Sequence, residues 1–138
     1  MLLSSEQIRT SNRIVGYSDR EIRLADATVH TSSLLTHDTR HALSLRSVAD
    51  LDQWDARSLV PLSISILLFT SPEPLLWPKP QFKATLAGLG IGLEVLTVGA
   101  AARTFNLLLS DSRPVGLLSL IHISDPRDGL LSRMPSSA

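Results

Sequence analysis

A chain of 138 residues with thirteen basic and thirteen acidic side chains has room for one core and no net field to attract nucleic acid or anionic lipid. The absence of cysteine excludes disulfides, thiolate metal sites and a cysteine nucleophile. The most apolar run, residues 64–69 (ISILLF), is far below the ~20 residues a membrane helix needs, and Pro61 and Pro72 bracket it.

Residues 1–12 read as a polar leader: Glu6 and the lack of a basic cluster ahead of an apolar core argue against a secretory signal or transit peptide. A soluble, cytoplasmic protein is the expectation. Residues 13–17 (RIVGY) and 21–24 (EIRL) are short strand-like pieces joined by the turn-forming Ser18-Asp19-Arg20, which predicts a hairpin. Residues 27–35 (ATVHTSSLL) are rich in β-branched and small residues and read as a third antiparallel strand. Residues 36–46 lack sustained periodicity and read as an irregular excursion. Over 50–59 the spacing of Leu51, Trp54, Arg57 and Ser58 predicts a short helix, with Asp50 as its cap and Pro61 as its stop.

The 64–69 run is apolar on both faces, as a central strand covered on both sides must be. Four prolines make 70–80 (TSPEPLLWPKP) a rigid, extended loop. Phe82, Leu86 and Leu89 then fall at helical spacing, and Gly90 stands where a left-handed helix cap belongs. A strand at 93–98, a helix at 99–109 and a closing strand at 115–121 complete an order that a mixed sheet with packed helices accommodates. The expected fold class is α/β: a three-layer mixed β-sheet arrangement with an N-terminal antiparallel hairpin or meander and helices on the sheet. The single domain is assigned to 13–122. Residues 123–138 have few apolar anchors and read as a disordered tail, resembling the adapter read-through at the ends of fragmentary metagenomic reading frames.

Three alternating glycines, Gly88, Gly90 and Gly92, invite a nucleotide-loop reading. A dinucleotide site requires strand, glycine loop, then helix, and here the order is reversed, so capping and turning outweigh phosphate binding. Gly99 is better placed, following one strand and opening the next helix. It permits either an anion site, with Arg103, Thr104 and Asn106 as the other candidate ligand residues, or close packing of helix on sheet with Arg103 in a structural ion pair, which is preferred. His37 and His41 have a ligand-like four-residue spacing. The segment between them does not look helical and Asp38 is the one nearby carboxylate, so His30, His37 and His41 read as solvated histidines and no metal is assigned. No G-x-S-x-G elbow occurs, and no catalytic residue is assigned.

From Ile14 to Ile121 the chain resembles the respiratory complex I (NADH dehydrogenase) assembly factor 3 family and its bacterial and archaeal relatives of unknown function. The resemblance rests on GIGLEVLTVGAAARTFNLLLSDSRPVGLLSLI, with Gly90, Glu94, Val95, Ala102, Arg103, Thr104, Phe105 and Asn106 as matching positions, and on IVGYSDREIRL and HTSSLL. It implies a three-layer α/β fold and a non-enzymatic protein-interaction role. The implied partner is a respiratory complex subunit or another assembly factor, with no cofactor, no nucleic acid and at most peripheral association with the bacterial inner membrane. The chain departs from the family pattern at Thr70-Ser71-Pro72-Glu73, where relatives carry a glycine-containing turn. A second departure is at Ala101 or Ala102, where relatives often have cysteine. The candidate partner-binding residues are Trp77, Leu75, Leu76 and Trp54, since aromatic and apolar anchors dominate interfaces. The alternative function is a small-molecule or anion-binding protein, an enzyme included, built on Gly99–Arg103.

Overall fold

The computed structural model describes residues 12–72 and 74–121. The 123–138 tail and all of the leader except Asn12 lie outside these residues. The chain opens with strands β1 (Ile14–Tyr17), β2 (Ile22–Leu24) and β3 (Thr28–Val29), which form an antiparallel three-stranded sheet in sequence order. The expected hairpin is present: Tyr17 pairs with Ile22, and the Ser18 N–H bonds to the Glu21 carbonyl at 2.9 Å.

The third strand expected over 27–35 is two strands belonging to two different sheets. Thr28 and Val29 complete the first sheet, whereas β4 (Ser33–Leu35) joins a second. The cause is burial. Ser33, Leu34 and Leu35 are all buried, with Leu34 and Leu35 in core clusters on opposite faces, so the segment must sit inside a sheet covered on both sides. The stretch that reads as irregular contains β5 (Arg40–Ala42), antiparallel to β4. Its turn is closed by the Thr36 N–H on the Thr39 carbonyl (3.0 Å) and the Thr39 N–H on Thr36 Oγ1 (3.1 Å). Threonine hydroxyls here substitute for the glycine signal that would mark such a turn.

The single helix expected over 50–59 is two 3-10 helices, Val48–Asp52 and Ala56–Leu62. Asp50 does not precede its helix. It lies inside it and its carboxylate accepts from the Arg46 and Ser47 N–H groups at 2.7 and 3.2 Å, while Asp55 caps the second helix by accepting from the Arg57 N–H. Pro61 lies within that second helix, which ends on Ser63 at φ 57°.

β6 (Ile66–Thr70), α1 (Pro80–Gly88), β7 (Gly92–Val95), α2 (Val98–Ser110) and β8 (Val115–Ser119) follow the expected order. The second sheet runs β5-β4-β8-β6-β7, with β8 antiparallel to β4 and parallel to β6, and β6 parallel to β7. α1 starts with proline at its first turn and ends in a complete Schellman cap. The Gly90 N–H bonds to the Ala87 carbonyl (3.0 Å), the Ile91 N–H to the Leu86 carbonyl (2.9 Å), and Gly90 takes φ 79°. Leu86 and Ile91 lie in the same core cluster, the apolar contact that accompanies this cap.

The layers follow from alternation along the strands. Leu34, Leu67, Phe69 and Leu118 point to one face, where Phe82 and Leu86 of α1 and Leu51 and Leu59 of the 3-10 helices cover them. Leu35, Leu68, Val115 and Leu117 point to the other, under Ala101, Ala102 and Phe105 of α2 and Ile14, Ile22 and Leu24 of the first sheet. The mixed sheet is thus the middle of three layers, and α1 and α2 lie on opposite sides of it.

Candidate functional site

β6 leads into α1 on one face, and its parallel neighbour β7 leads into α2 on the other. Adjacent strands whose connections leave on opposite faces open a crevice beyond their carboxyl ends, the usual place for a ligand in an open α/β sheet. In this chain that end is lined by hydroxyls. Ser33 lies opposite Ser119 in the β4–β8 ladder, and Ser119 opposite Thr70 in the β6–β8 ladder. The three form a row across adjacent strands on the α2 face, two residues beyond Leu35, Leu117 and Leu68. All three are buried, and the Ser33 and Thr70 hydroxyls have no hydrogen-bond partner. Thr70, Ser119, Val98 of the α2 start and Ser18 and Asp19 of the first hairpin turn surround a small cavity there.

The helix start singled out in the sequence borders this cavity through Val98, while Gly99 packs against the first sheet. Thr97 caps α2, its hydroxyl accepting from the Ala100 N–H at 3.4 Å. Gly99 is a point of close approach: a β-carbon there would stand 2.8 Å from the Tyr17 hydroxyl oxygen. Asn106 holds the first sheet onto α2, its Oδ1 accepting from the Ile14 N–H at 2.8 Å and its Nδ2 donating to the Ile14 carbonyl at 2.9 Å. Arg103 is exposed and Thr104 half-buried. Gly99 and Asn106 thus both lie at contacts between the first sheet and α2.

Among the described residues the histidines belong to no group of three or more side chains that could hold a metal. His37 is on the β4–β5 turn, 3.5 Å from Asp38, and His30 stands 3.8 Å from Glu21. His41 is in β5 with Nε2 3.1 Å from Thr39 Oγ1, and burial lowers its pKa from the usual value. A buried polar node ties the chain start to this hairpin. Asn12, wholly buried, donates to the Thr36 and Thr39 carbonyls at 2.8 and 2.9 Å and accepts from Arg40 Nε at 2.8 Å. Arg40 in turn pairs with Asp26 at 2.6 Å, which holds that carboxyl below its usual pKa.

Of the four candidate partner-binding residues, two stand out in solvent: Trp77 is 70% exposed and Leu76 53%. Leu75 is half-buried, and Trp54 is half-buried against Phe82 with ring centroids 6.3 Å apart, so it caps the core. Trp77 and Pro78 form one wall of a groove of ≈ 380 Å³ whose other side includes Lys83 of α1 and Leu93 and Val95 of β7. β7 is an edge strand. The Gly92 and Leu96 N–H groups bond to β6 and its flanks, so in a parallel ladder the backbone groups of Leu93 and Val95 point away from the sheet. Among the described residues no helix is long and apolar enough to cross a membrane.

Fold and site together define a small three-layer α/β protein with a mixed central sheet and a hydroxyl-lined carboxyl end. The chain belongs to a family described as protein of unknown function (DUF498/DUF598), whose pattern spans residues 14–120. Solved structures share the fold. A Xanthomonas campestris protein solved by NMR is 26% identical, with a TM-score of 0.64 over 78% of this chain and 83% of that one. A protein of Bordetella parapertussis is 20% identical, with a TM-score of 0.71 over 82% of this chain and 98% of its own. A Bordetella pertussis protein described as a Mth938-like domain is 18% identical, with a TM-score of 0.66 over 92% and 96%. No curated protein matches the chain significantly.

Two features of the site escape a reading of the sequence. The hydroxyl row depends on cross-strand register, although each member follows an apolar strand residue by two positions or precedes one by two. The open β7 edge depends on strand order.

Proposed function

We propose that this protein is a non-enzymatic interaction module that receives a protein partner at the Trp77 loop and the neighbouring β7 edge. The observation that carries the reading is the pairing of an indole that is 70% exposed with a strand edge whose Leu93 and Val95 backbone groups face outward. A tryptophan supplies a large anchor for an interface, and an open edge supplies main-chain hydrogen bonds to an extended segment. The family resemblance supports the same role. It suggests an assembly-factor-like protein in the bacterial cytoplasm, peripheral to the inner membrane, whose partner is a respiratory complex subunit or another assembly factor. Edge strands are ordinarily protected by charge or proline, and here Lys83, Glu94, Pro78 and Pro80 limit indiscriminate pairing without closing the edge.

The test is co-purification from a bacterial membrane fraction with wild type and Trp77→Ala. Recovery of a partner that falls at least tenfold in the variant supports the reading. Unchanged recovery sinks the role of Trp77, and a Leu93→Lys variant that also leaves recovery unchanged sinks the edge.

A further inference from the structure

The hydroxyl row is an unusual way to end a sheet. Buried hydroxyls are normally paired, and an unpaired one carries the full cost of its lost hydration. Here two of three in one row, Ser33 and Thr70, have no partner, while Thr70 is only 1% exposed. The cavity lined by Thr70 and Ser119 has room for the centre of about one water-sized group, ≈ 10 Å³. Its other walls include Ser18, Asp19, Ser71, Pro72 and Val98, the last being the first residue of the 13-residue helix α2. Thr97 satisfies Ala100, and the Ala101 N–H bonds to the Thr97 carbonyl at 2.8 Å, which leaves Val98 and Gly99 as the N–H groups with no acceptor inside the helix. Thr70, with its unpartnered hydroxyl, Ser119 and the opening residue of a helix thus border one small space at the carboxyl end of the sheet.

We propose that this cavity binds the carboxylate of a small organic acid, one oxygen entering between Thr70, Ser119 and the α2 start while the rest of the ligand stays at the rim. Charge chooses the carboxylate: among the described residues no lysine or arginine lines the space to balance a phosphate dianion. Asp19, exposed at the rim, repels a second negative charge and leaves a monoanion, held by neutral donors and the partial positive charge of the helix start. The Ser71 hydroxyl, also in the lining, accepts from the Leu76 N–H at 3.3 Å and keeps its own hydrogen free to donate. The site is separate from the Trp77 groove, so Trp77→Ala leaves it intact.

The experiment is an amide NMR titration of the full chain with sodium formate, with chloride and phosphate as parallel arms at matched ionic strength. Saturable shifts at Val98, Gly99 and Ser119 with formate alone are expected. Thr70→Val, which keeps the shape and removes the hydroxyl, is expected to weaken formate binding about tenfold or more, the scale of a lost hydrogen bond to a charged group. Asp19→Asn is expected to tighten it about threefold, the scale of one exposed charge. Ser119→Ala serves as a second probe of the same row. No saturable shift with any anion means an ordered water only and overturns the proposal. Binding of phosphate in preference to formate, or equal formate binding by wild type, Thr70→Val and Ser119→Ala, overturns it as well.

Discussion

Asn106 is the side chain on which the attachment of the first sheet most depends, and replacing it by alanine is the sharpest test of how the layers are joined. Its amide makes two hydrogen bonds to the backbone of Ile14, at 2.8 and 2.9 Å, across 92 residues of chain. Each neutral bond contributes about 0.5–1.5 kcal/mol net, and loss of the partner leaves the Ile14 N–H and carbonyl part-buried and reached only partly by water, so the expected cost is about 2–3 kcal/mol. For a domain of this size that lowers Tm by roughly 10 °C. Denaturation followed by circular dichroism gives the total, and amide exchange at Ile14, Ile22 and Val29 locates it: protection in the first sheet should fall before protection in β6 and β8. Asn106→Asp adds a check on mechanism. One carboxylate oxygen can still accept from the Ile14 N–H, but the other faces the Ile14 carbonyl, so the variant should be at least as unstable at neutral pH and recover part of the loss in acid, when a protonated oxygen can donate. A cost below about 0.5 kcal/mol, the ordinary range for a surface substitution, with exchange unchanged in the first sheet, refutes the reasoning.

Gly90→Ala places a β-carbon on a residue at φ 79° and should cost about 1–2 kcal/mol, measured by urea denaturation, even though open space surrounds the position. Stability should also fall as pH drops below about 6.5. The folded-state pKa of His41 is lowered by burial, so the unfolded chain binds the proton first, and the contribution is complete above 6.5 and lost as pH falls through the folded value. Asp26, lowered from 3.8 by its hydrogen bond to Arg40, adds a second loss in the more acid range by the same sign. Urea midpoints between pH 7 and 3 check both: His41→Gln should flatten the upper part of the profile and Asp26→Asn the lower, and a wild-type profile level from pH 7 to 5 removes the His41 argument.

The elements most legible in the sequence are those whose signals are local. Gly90 declares a helix end because only a left-handed residue closes the Schellman cap, and the run ILLF of β6 declares a strand covered on both sides. Local signals fail where long-range pairing decides. Residues 27–35 look like one β-rich piece, yet Ser33 and Leu35 are claimed by Ser119 and Leu117, more than eighty positions away, so the strand breaks at His30 and Thr31 and its halves enter different sheets. β5 is hidden because its turn is built by Thr36 and Thr39 side chains. In the candidate sites, Trp77 is visible as an aromatic among prolines, and Gly99 as a small residue at a helix start. What Gly99 is near, Tyr17, and what Thr70 is beside, Ser119, are products of register and layer order.

The position of β8 has a consequence for biosynthesis. It is the last strand in the described chain, yet it lies at the centre of the five-stranded sheet, between β4 and β6. While the chain is being made, β4 and β6 emerge early with their inner edges open, and no earlier strand can fill the gap between them. The two halves of the sheet must therefore wait for Val115–Ser119, which makes folding late, non-local and slow. Any pause or truncation before that strand leaves two apolar edges exposed, the state from which aggregation begins. That exposure during synthesis is set by strand order rather than by the stability of the finished fold.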